Sequence, residues 1–547
     1  MNSLMKKTSL SIFALLIWAN TAISQAADLY VSPDGNHTPP FANWAQAATN
    51  IQAAVDAATE GDTVYLADHT YVLRGSVTVD KAITIKGFNG PENCIVDGRN
   101  NIRCFDISDA SLVDLTIQRG FVRGASLGDP ARRYGGGVYA RNCMISNCVF
   151  RENGGNQGLH GILPAGAALA ARDGCVVSDC TFYDNNKGGD GFSDPSTVHV
   201  GNGSLIERCI IRDNVTSVGA LDCDHSTVVQ CQIYRNQYRG VTMIGGTMRD
   251  CQIFDNEGSP EVIAIVVGSA VTPSREGGGV HITDGGVASR CLIQNNSSRI
   301  GGGVYIENGT LRNSLVLDNR SHYDREHPPG FLGFPADGGG VYFKGRGNLE
   351  NCTVLNNISS HTTGGVFWEA SFDPEDETVI RNNILYSNSG FNLPAEANVV
   401  TLQHNCIQDA TRLANGNINS DPQVSEDYRL SESSPCRDTG SNQSWMTGSG
   451  DYAGITRMVN GNVDMGAMEF VEPVVITQIQ YAEEQVTLNW TSSPGASYQL
   501  ETTDDLSENS WERVGPAVTA TGIVSSQTET VVPGPLRFYR YRHVLFE

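Results

Sequence analysis

Short apolar runs recur along most of the chain, as in Val304-Tyr305-Ile306 and Leu315-Val316-Leu317. Their side chains read with period two, which predicts strands rather than helices. One unit begins Gly301-Gly302-Gly303-Val304-Tyr305-Ile306 and continues through Leu311, Ser314, Val316 and Asn319. Aligned on that pattern, Cys148, Cys180, Cys209, Cys231, Cys251, Cys291, Ser314, Cys352 and Asn383 form one column. Five positions after each stands an asparagine: Asn153, Asn185, Asn214, Asn236, Asn256, Asn296, Asn319, Asn357 and Asn388. The upstream offset is nearly constant too: Val138 to Cys148 and Val241 to Cys251 span 10 residues, Val198 to Cys209 and Val341 to Cys352 span 11. A unit of about 20 residues with two or three short strands cannot bury its own apolar face, so neighbouring units must stack, roughly 4.8 Å apart, with like residues in ladders.

That stacking changes how the 14 cysteines read. Stacked residues point their Cβ atoms the same way, which is poor geometry for bridging, so the column predicts an inward ladder of small apolar side chains. Cys406 and Cys436 stand outside it and remain candidates for a bridge. The asparagines predict a turn ladder of amides bonded along the stack. No Cys-x-x-Cys spacing marks a metal site. The Gly-Gly-Gly segments recur with the coil and open no helix, so they serve tight turns rather than a phosphate.

The ends differ from the middle. Asp28 to Leu73 combines a helical pattern from Trp44 to Ala58 with the strand Gly61-Asp62-Thr63-Val64-Tyr65-Leu66, which suits a cap over the open end of a solenoid. Ser420-Asp421-Pro422-Gln423, Ser434-Pro435-Cys436 and Val463-Asp464-Met465-Gly466 read as a closing segment. With these phrases and the glycine-rich coils, residues 28 to 470 resemble bacterial right-handed parallel β-helix repeat proteins of the pectin-lyase-like superfamily. The resemblance implies an all-β, right-handed parallel β-helix with an N-terminal cap. It does not select an activity, because that superfamily holds lyases, hydrolases, epimerases, esterases and adhesins. After Glu469, short alternating strands around Trp490, Tyr498 and Phe538-Tyr539-Arg540-Tyr541 predict a small β-sandwich of fibronectin type III or related character, with its aromatic residues in the core. The expected divisions are a signal peptide over 1–26, cap and first strands over 27–83, β-helix over 84–395, closing segment over 396–470 and sandwich over 471–547.

Lys6 and Lys7, the apolar run Leu10 to Ala19 and Ser24-Gln25-Ala26 form the expected leader, cleaved on export, so the protein is expected to be secreted or periplasmic. A formal net charge of -23 argues against nucleic acid and anionic membranes as partners, while a small basic cleft on such a body still suits an acidic polysaccharide. No later segment approaches the roughly 20 apolar residues of a membrane span. A monomer is expected.

Alternation puts Val304 and Ile306 inward and Tyr305 outward. The Tyr305 column then holds Tyr139, Ala170, His199, Asp222, Thr242, His281, Tyr305, Tyr342 and Phe367. Long insertions enter just before Leu169, Val280 and Val341 and predict walls along that face, where repeat proteins carry their binding surfaces. His281 as base, Tyr305 as acid and Arg239 as the cation that neutralises a carboxylate suit β-elimination of a uronate glycan. Coil counting puts His199 four strands from Tyr305, roughly 19 Å, so His199 with adjacent Asp222 forms a second candidate. Tyr139, Tyr342, Arg132, Arg133 and Arg275 are candidate substrate contacts, with Lys187, His322 and His327 nearby on loops. The reading is a secreted polysaccharide lyase. Its alternatives are a non-catalytic adhesion or glycan-binding β-helix, in which the column only stacks, and a glycoside hydrolase using Asp222 and Asp224. No cofactor is assigned; Ca2+ at the acidic run Asp373 to Glu377 is the alternative to a solvated turn.

Overall fold

In the computed structural model, the described residues are 26–543 apart from 124–133, 157–164, 187–195, 217, 259–275, 323–335, 370–376, 395–399, 409, 411–412, 459–460, 472–473, 494–495, 507–510 and 531–536. The expected leader lies outside them. Three long parallel sheets of 11, 14 and 13 strands run the length of the molecule. Each coil gives one short strand to each sheet. A typical coil contributes Val138–Arg141 to the first, Met144–Ser146 to the second and Val149–Arg151 to the third.

The core is the stack of inward residues. Val138, Val198, Val241, Val304 and Val341 come from the first sheet, Ile145, Ile206 and Leu311 from the second, and Phe150, Ile211 and Val316 from the third, all buried. The cysteine column lies between the second and third strands, inside the core, with every cysteine free. The asparagine column follows the third strand, and each side-chain amide donates to the carbonyl oxygen of the next, as in Asn214 to Asn236 at 3.0 Å and Asn236 to Asn256 at 3.0 Å. Such a ladder satisfies amides that would otherwise be buried unpaired. The residue before each ladder asparagine is left-handed, with φ between 50° and 58° from Glu152 to Ser387. In the Gly-Gly-Gly turn, Gly301 has φ 62°, and a Cβ on Gly303 would sit 2.7 Å from the Gly340 carbonyl oxygen. Glycine is required there for two separate reasons.

Parallel pairing reaches beyond residues 84–395 at both ends. Asp28–Val31 pairs with Thr63–Leu66, and Cys406–Ile407 is the last strand of the third sheet. The expected helix over Trp44 to Ala58 is a 3-10 turn at Trp44–Gln46 followed by an α-helix at Ile51–Ala57. Between them Ala48 is drawn into backbone bonds with Tyr30 and Ser32, which breaks the helix. Asn50 caps the α-helix by accepting from the Ala53 amide at 2.9 Å.

The closing segment does more than cover the end. Leu430, Cys436, Tyr452, Met465, Met468 and Phe470 pack against Leu315, Leu317, Leu355 and Ile384, so it runs back as a strap over the outer face of the third sheet. Arg457, fully buried, fastens it by bonding Asn313 Oδ1 at 2.9 Å and Glu469 at 2.7 Å. Beyond it, two three-stranded antiparallel sheets bury Trp490, Tyr498 and Leu500, so two of the sandwich aromatics are core, while Tyr481 is exposed.

Candidate functional site

The first sheet carries the outward column in the expected order. Strand registers pair Tyr139 with Ala170, Ala170 with His199, His199 with Asp222, Asp222 with Thr242, Thr242 with His281, His281 with Tyr305, and Tyr305 with Tyr342. His199 and His281 are therefore three strands apart, roughly 14 Å. They are two separate centres.

At the first centre, His199 Nδ1 meets Asp222 Oδ2 at 2.9 Å. Both groups are largely buried, yet His199 Nε2 and Asp222 Oδ1 have no hydrogen-bond partner. The carboxylate fixes the orientation of the ring and leaves the second nitrogen uncommitted, the arrangement of an oriented acid or base. Gly201 contributes space: a Cβ there would stand 3.0 Å from His199 Nε2. Tyr134, in the turn before Val138, lies with its ring centroid 5.8 Å from that of His199. Arg172 donates to the Tyr134 hydroxyl and lies 4.8 Å over its ring.

Farther along the same face the cations accumulate. Arg141 sits 4.4 Å over the Tyr139 ring and bonds Asp106 at 3.0 Å. Arg103 reaches Asp106 at 2.7 Å and the carbonyl of Tyr134 at 2.7 Å. Two arginines, Arg103 and Arg141, therefore hold the Asp106 carboxylate, while Arg172 holds the Tyr134 hydroxyl. Arg141 and Arg172 occupy the second outward position of their strands, which the alternation could have revealed. Arg103 and Tyr134 lie in turns, where no periodicity points to them.

The second centre is closed. The His281 ring meets Tyr305 edge-on at 4.9 Å, Tyr305 stacks on Tyr342 at 5.4 Å, and Tyr342 stacks on Phe367 at 5.1 Å. Tyr305 is 1% exposed and Tyr342 4%. Both His281 nitrogens are buried without partners. Burial, with the positive charges of Arg239 and Lys344, drives its pKa well below the ordinary value, so the ring is neutral. Burial raises the Tyr305 hydroxyl, and the carboxylates of Glu276, Glu307 and Glu369 raise it further. Tyr342 donates to Glu369 at 2.6 Å.

Arg239 is 3% exposed. Its Nε donates to the Glu276 carbonyl at 2.8 Å, and its Nη1 donates to Thr242 Oγ1 at 3.0 Å and the Val218 carbonyl at 3.3 Å. Burial pulls its pKa down to about 10. It clamps two turns together and presents no open donor to a carboxylate in the way the expected neutraliser would. Arg132, Arg133, Arg275, Lys187 and His327 lie outside the described residues, as does the acidic run apart from Glu377. Among the described residues no cluster of three or more His, Cys, Asp or Glu could hold a metal ion. No helix is long and apolar enough to cross a membrane.

A family model described as "Right handed beta helix region" matches residues 136–319. No curated protein matches the sequence. A solved pectate lyase, Pel9A, is 15% identical with a TM-score of 0.36, over 82% of this chain and 97% of that one. XylC in complex with xylose is 10% identical with a TM-score of 0.37, over 94% and 100%. A mannuronic acid specific polysaccharide family 6 lyase from human gut microbiota is 13% identical with a TM-score of 0.29, over 63% and 77%. At such identities and TM-scores these likenesses carry no assignment of activity.

Proposed function

We propose that this right-handed parallel β-helix is a carbohydrate-active enzyme that cleaves an acidic polysaccharide by β-elimination at the His199–Asp222 centre. The observation that carries the reading is the 2.9 Å contact that orients His199 while its Nε2 stays unpartnered. β-Elimination requires a base for the C5 proton, an acid for the departing glycosidic oxygen, and positive charge for the uronate carboxylate, whose enolate-like form gains charge in the transition state. His199 takes the C5 proton through Nε2, and Asp222 stabilises the imidazolium that results. Arg172 and Arg141 bind the carboxylate. The Tyr134 hydroxyl, held by Arg172, returns a proton to the leaving oxygen.

Three features favour this centre over the His281–Tyr305–Arg239 set. The second centre seals its tyrosines, surrounds them with glutamates that repel a uronate, and commits its arginine to backbone carbonyls. Its stacked rings suit the structural ladder that was the alternative for the whole column.

Incubation with a panel of uronate polysaccharides, followed by ultraviolet absorbance of unsaturated chain ends, tests the proposal. Growth of that absorbance on at least one polymer is expected. No growth on any, with or without Ca2+, defeats the lyase reading. New reducing ends without that absorbance would instead point to hydrolysis, with Asp222 and Asp224 as the acid/base pair.

A further inference from the structure

The strand that opens the fold is held at its start by a carboxylate that lacks a counter-ion. Asp28–Val31 pairs in parallel with Thr63–Leu66 at the end of the second sheet, with Asp28 opposite Thr63. One step earlier in that register stand Ala27 and Asp62. The Ala27 amide donates to Asp62 Oδ1 at 2.7 Å, and the Ala27 carbonyl accepts from the Thr63 amide at 2.9 Å. Asp62 Oδ2 accepts from the Thr59 amide at 2.7 Å and from the Thr59 hydroxyl at 2.9 Å.

Asp62 is 4% exposed. Burial opposes its charge, yet the bonds from Ala27 and Thr59 hold its carboxyl below the ordinary pKa, so it is ionised. A covered carboxylate ordinarily has a cation beside it. Among the described residues none forms an ion pair with Asp62. Lys81 attracts it only from a distance, because its ammonium donates to the carbonyls of Val55 at 2.9 Å and Ala58 at 2.7 Å, at the end of the α-helix.

The missing cation is one bond cleavage away. Ser24-Gln25-Ala26 places small residues first and third before the Ala26–Ala27 bond, the pattern of a leader cleavage site, and both residues of that bond are exposed. We propose that export cuts the chain between Ala26 and Ala27, and that Asp62 is the built-in receptor for the amino terminus this creates. Hydrolysis at a leader peptidase consumes one water. The Ala26 carbonyl departs as a carboxylate on the leader, and the Ala27 nitrogen takes up a proton as an ammonium, whose ordinary pKa is about 8. The neutral donor at Asp62 Oδ1 thereby becomes a charged one, and the hydrogen bond becomes an ion pair. It anchors the first residue of the mature chain at the end of a sheet, where termini otherwise fray. The inference is independent of the catalytic reading.

The test begins with the full chain produced with its leader in an exporting bacterial host. The exported protein is weighed intact and sequenced from its amino terminus. It should begin at Ala27; another first residue, or a retained leader, overturns the proposal. The ion pair is tested on chains made to begin at Ala27 or with a short extension ahead of it, each with and without Asp62→Asn. The extension keeps an amide at Ala27 and so retains only the neutral hydrogen bond. Asp62→Asn should lower the melting temperature of the chain that begins at Ala27 clearly more than that of the extended chain, and equal shifts would overturn the receptor role. Acetylating the α-amine gives the same contrast without a substitution. It should lower the melting temperature of the chain that begins at Ala27 and leave that of the extended chain unmoved; no shift in either would also overturn the role.

Discussion

The two histidine centres stand on different strands of the first sheet but at the same outward position of its ladder, and they differ in what stands beside them. His199 has Asp222 on the next strand and three arginines on the preceding coils. His281 has Tyr305 on the next strand, with Tyr342 and Phe367 beyond it and glutamates around them. A solenoid fixes where a side chain emerges; the neighbours one coil away decide whether it is a polar centre or part of a packed ladder. A histidine beside a carboxylate is held for proton transfer, whereas a histidine edge-on to a buried ring is packing that happens to be titratable.

The largest expected effect separates the two by activity. His199→Ala and Asp222→Asn should each lower kcat/KM on the responsive uronate polymer by about 100-fold or more, the ordinary scale for a general base. His281→Ala should leave it nearly unchanged. Loss confined to His281→Ala would reverse the assignment.

Stability should give the opposite ranking. Tyr305→Ala empties a fully buried site between two rings and should cost about 3–5 kcal/mol in urea unfolding. His199→Ala, outside the stack of tyrosine rings, should cost clearly less. Equal losses would mean that the His199 centre is packed as tightly as the tyrosine stack.

Tyr342→Phe keeps the stack and removes only the hydroxyl that donates to Glu369. A loss of about 1–3 kcal/mol is expected, because the carboxylate loses a short hydrogen bond in a half-buried place. Turnover should not change, and a large fall in it would return Tyr342 to the substrate contacts.

The smallest effect concerns pH. The folded-state pKa of His281 is depressed, so the unfolded chain binds more protons once the pH falls below the ordinary histidine value of about 6.5. Stability from this group is therefore complete above that pH and declines as the pH falls toward the folded pKa. His281→Phe should flatten that part of the stability profile. An unchanged slope would show that His281 does not titrate in this way.

Much of this arrangement was legible in the sequence because ladders repeat at fixed offsets. The cysteine and asparagine columns, the strand triplets and the Tyr305 column all follow from counting along Val138, Cys148 and Asn153. Coil counting also separated His199 from Tyr305. It could not report burial. Nothing in the spacing says that Tyr305 is sealed or that Arg239 spends its donors on the Glu276 and Val218 carbonyls. Contacts of long sequence separation were equally hidden. Arg457 finds Asn313 144 positions away, so the strap read only as an end closure. The arginines on the coils before His199 fell between these cases: Arg141 and Arg172 obey the period-two rule, while Arg103 acts from a turn that no rule singles out.

The central claim is that an acidic glycan engages the His199 end of the column. A crystal structure of the His199→Ala protein with an oligosaccharide of the responsive uronate tests it most directly. The account predicts a carboxylate within hydrogen-bond distance of Arg172 or Arg141, with the adjoining sugar ring beside Asp222 and the vacated imidazole site. An oligosaccharide seated over Tyr342 and Phe367, or on the outer face of the third sheet, with the Asp222 end empty, would contradict it.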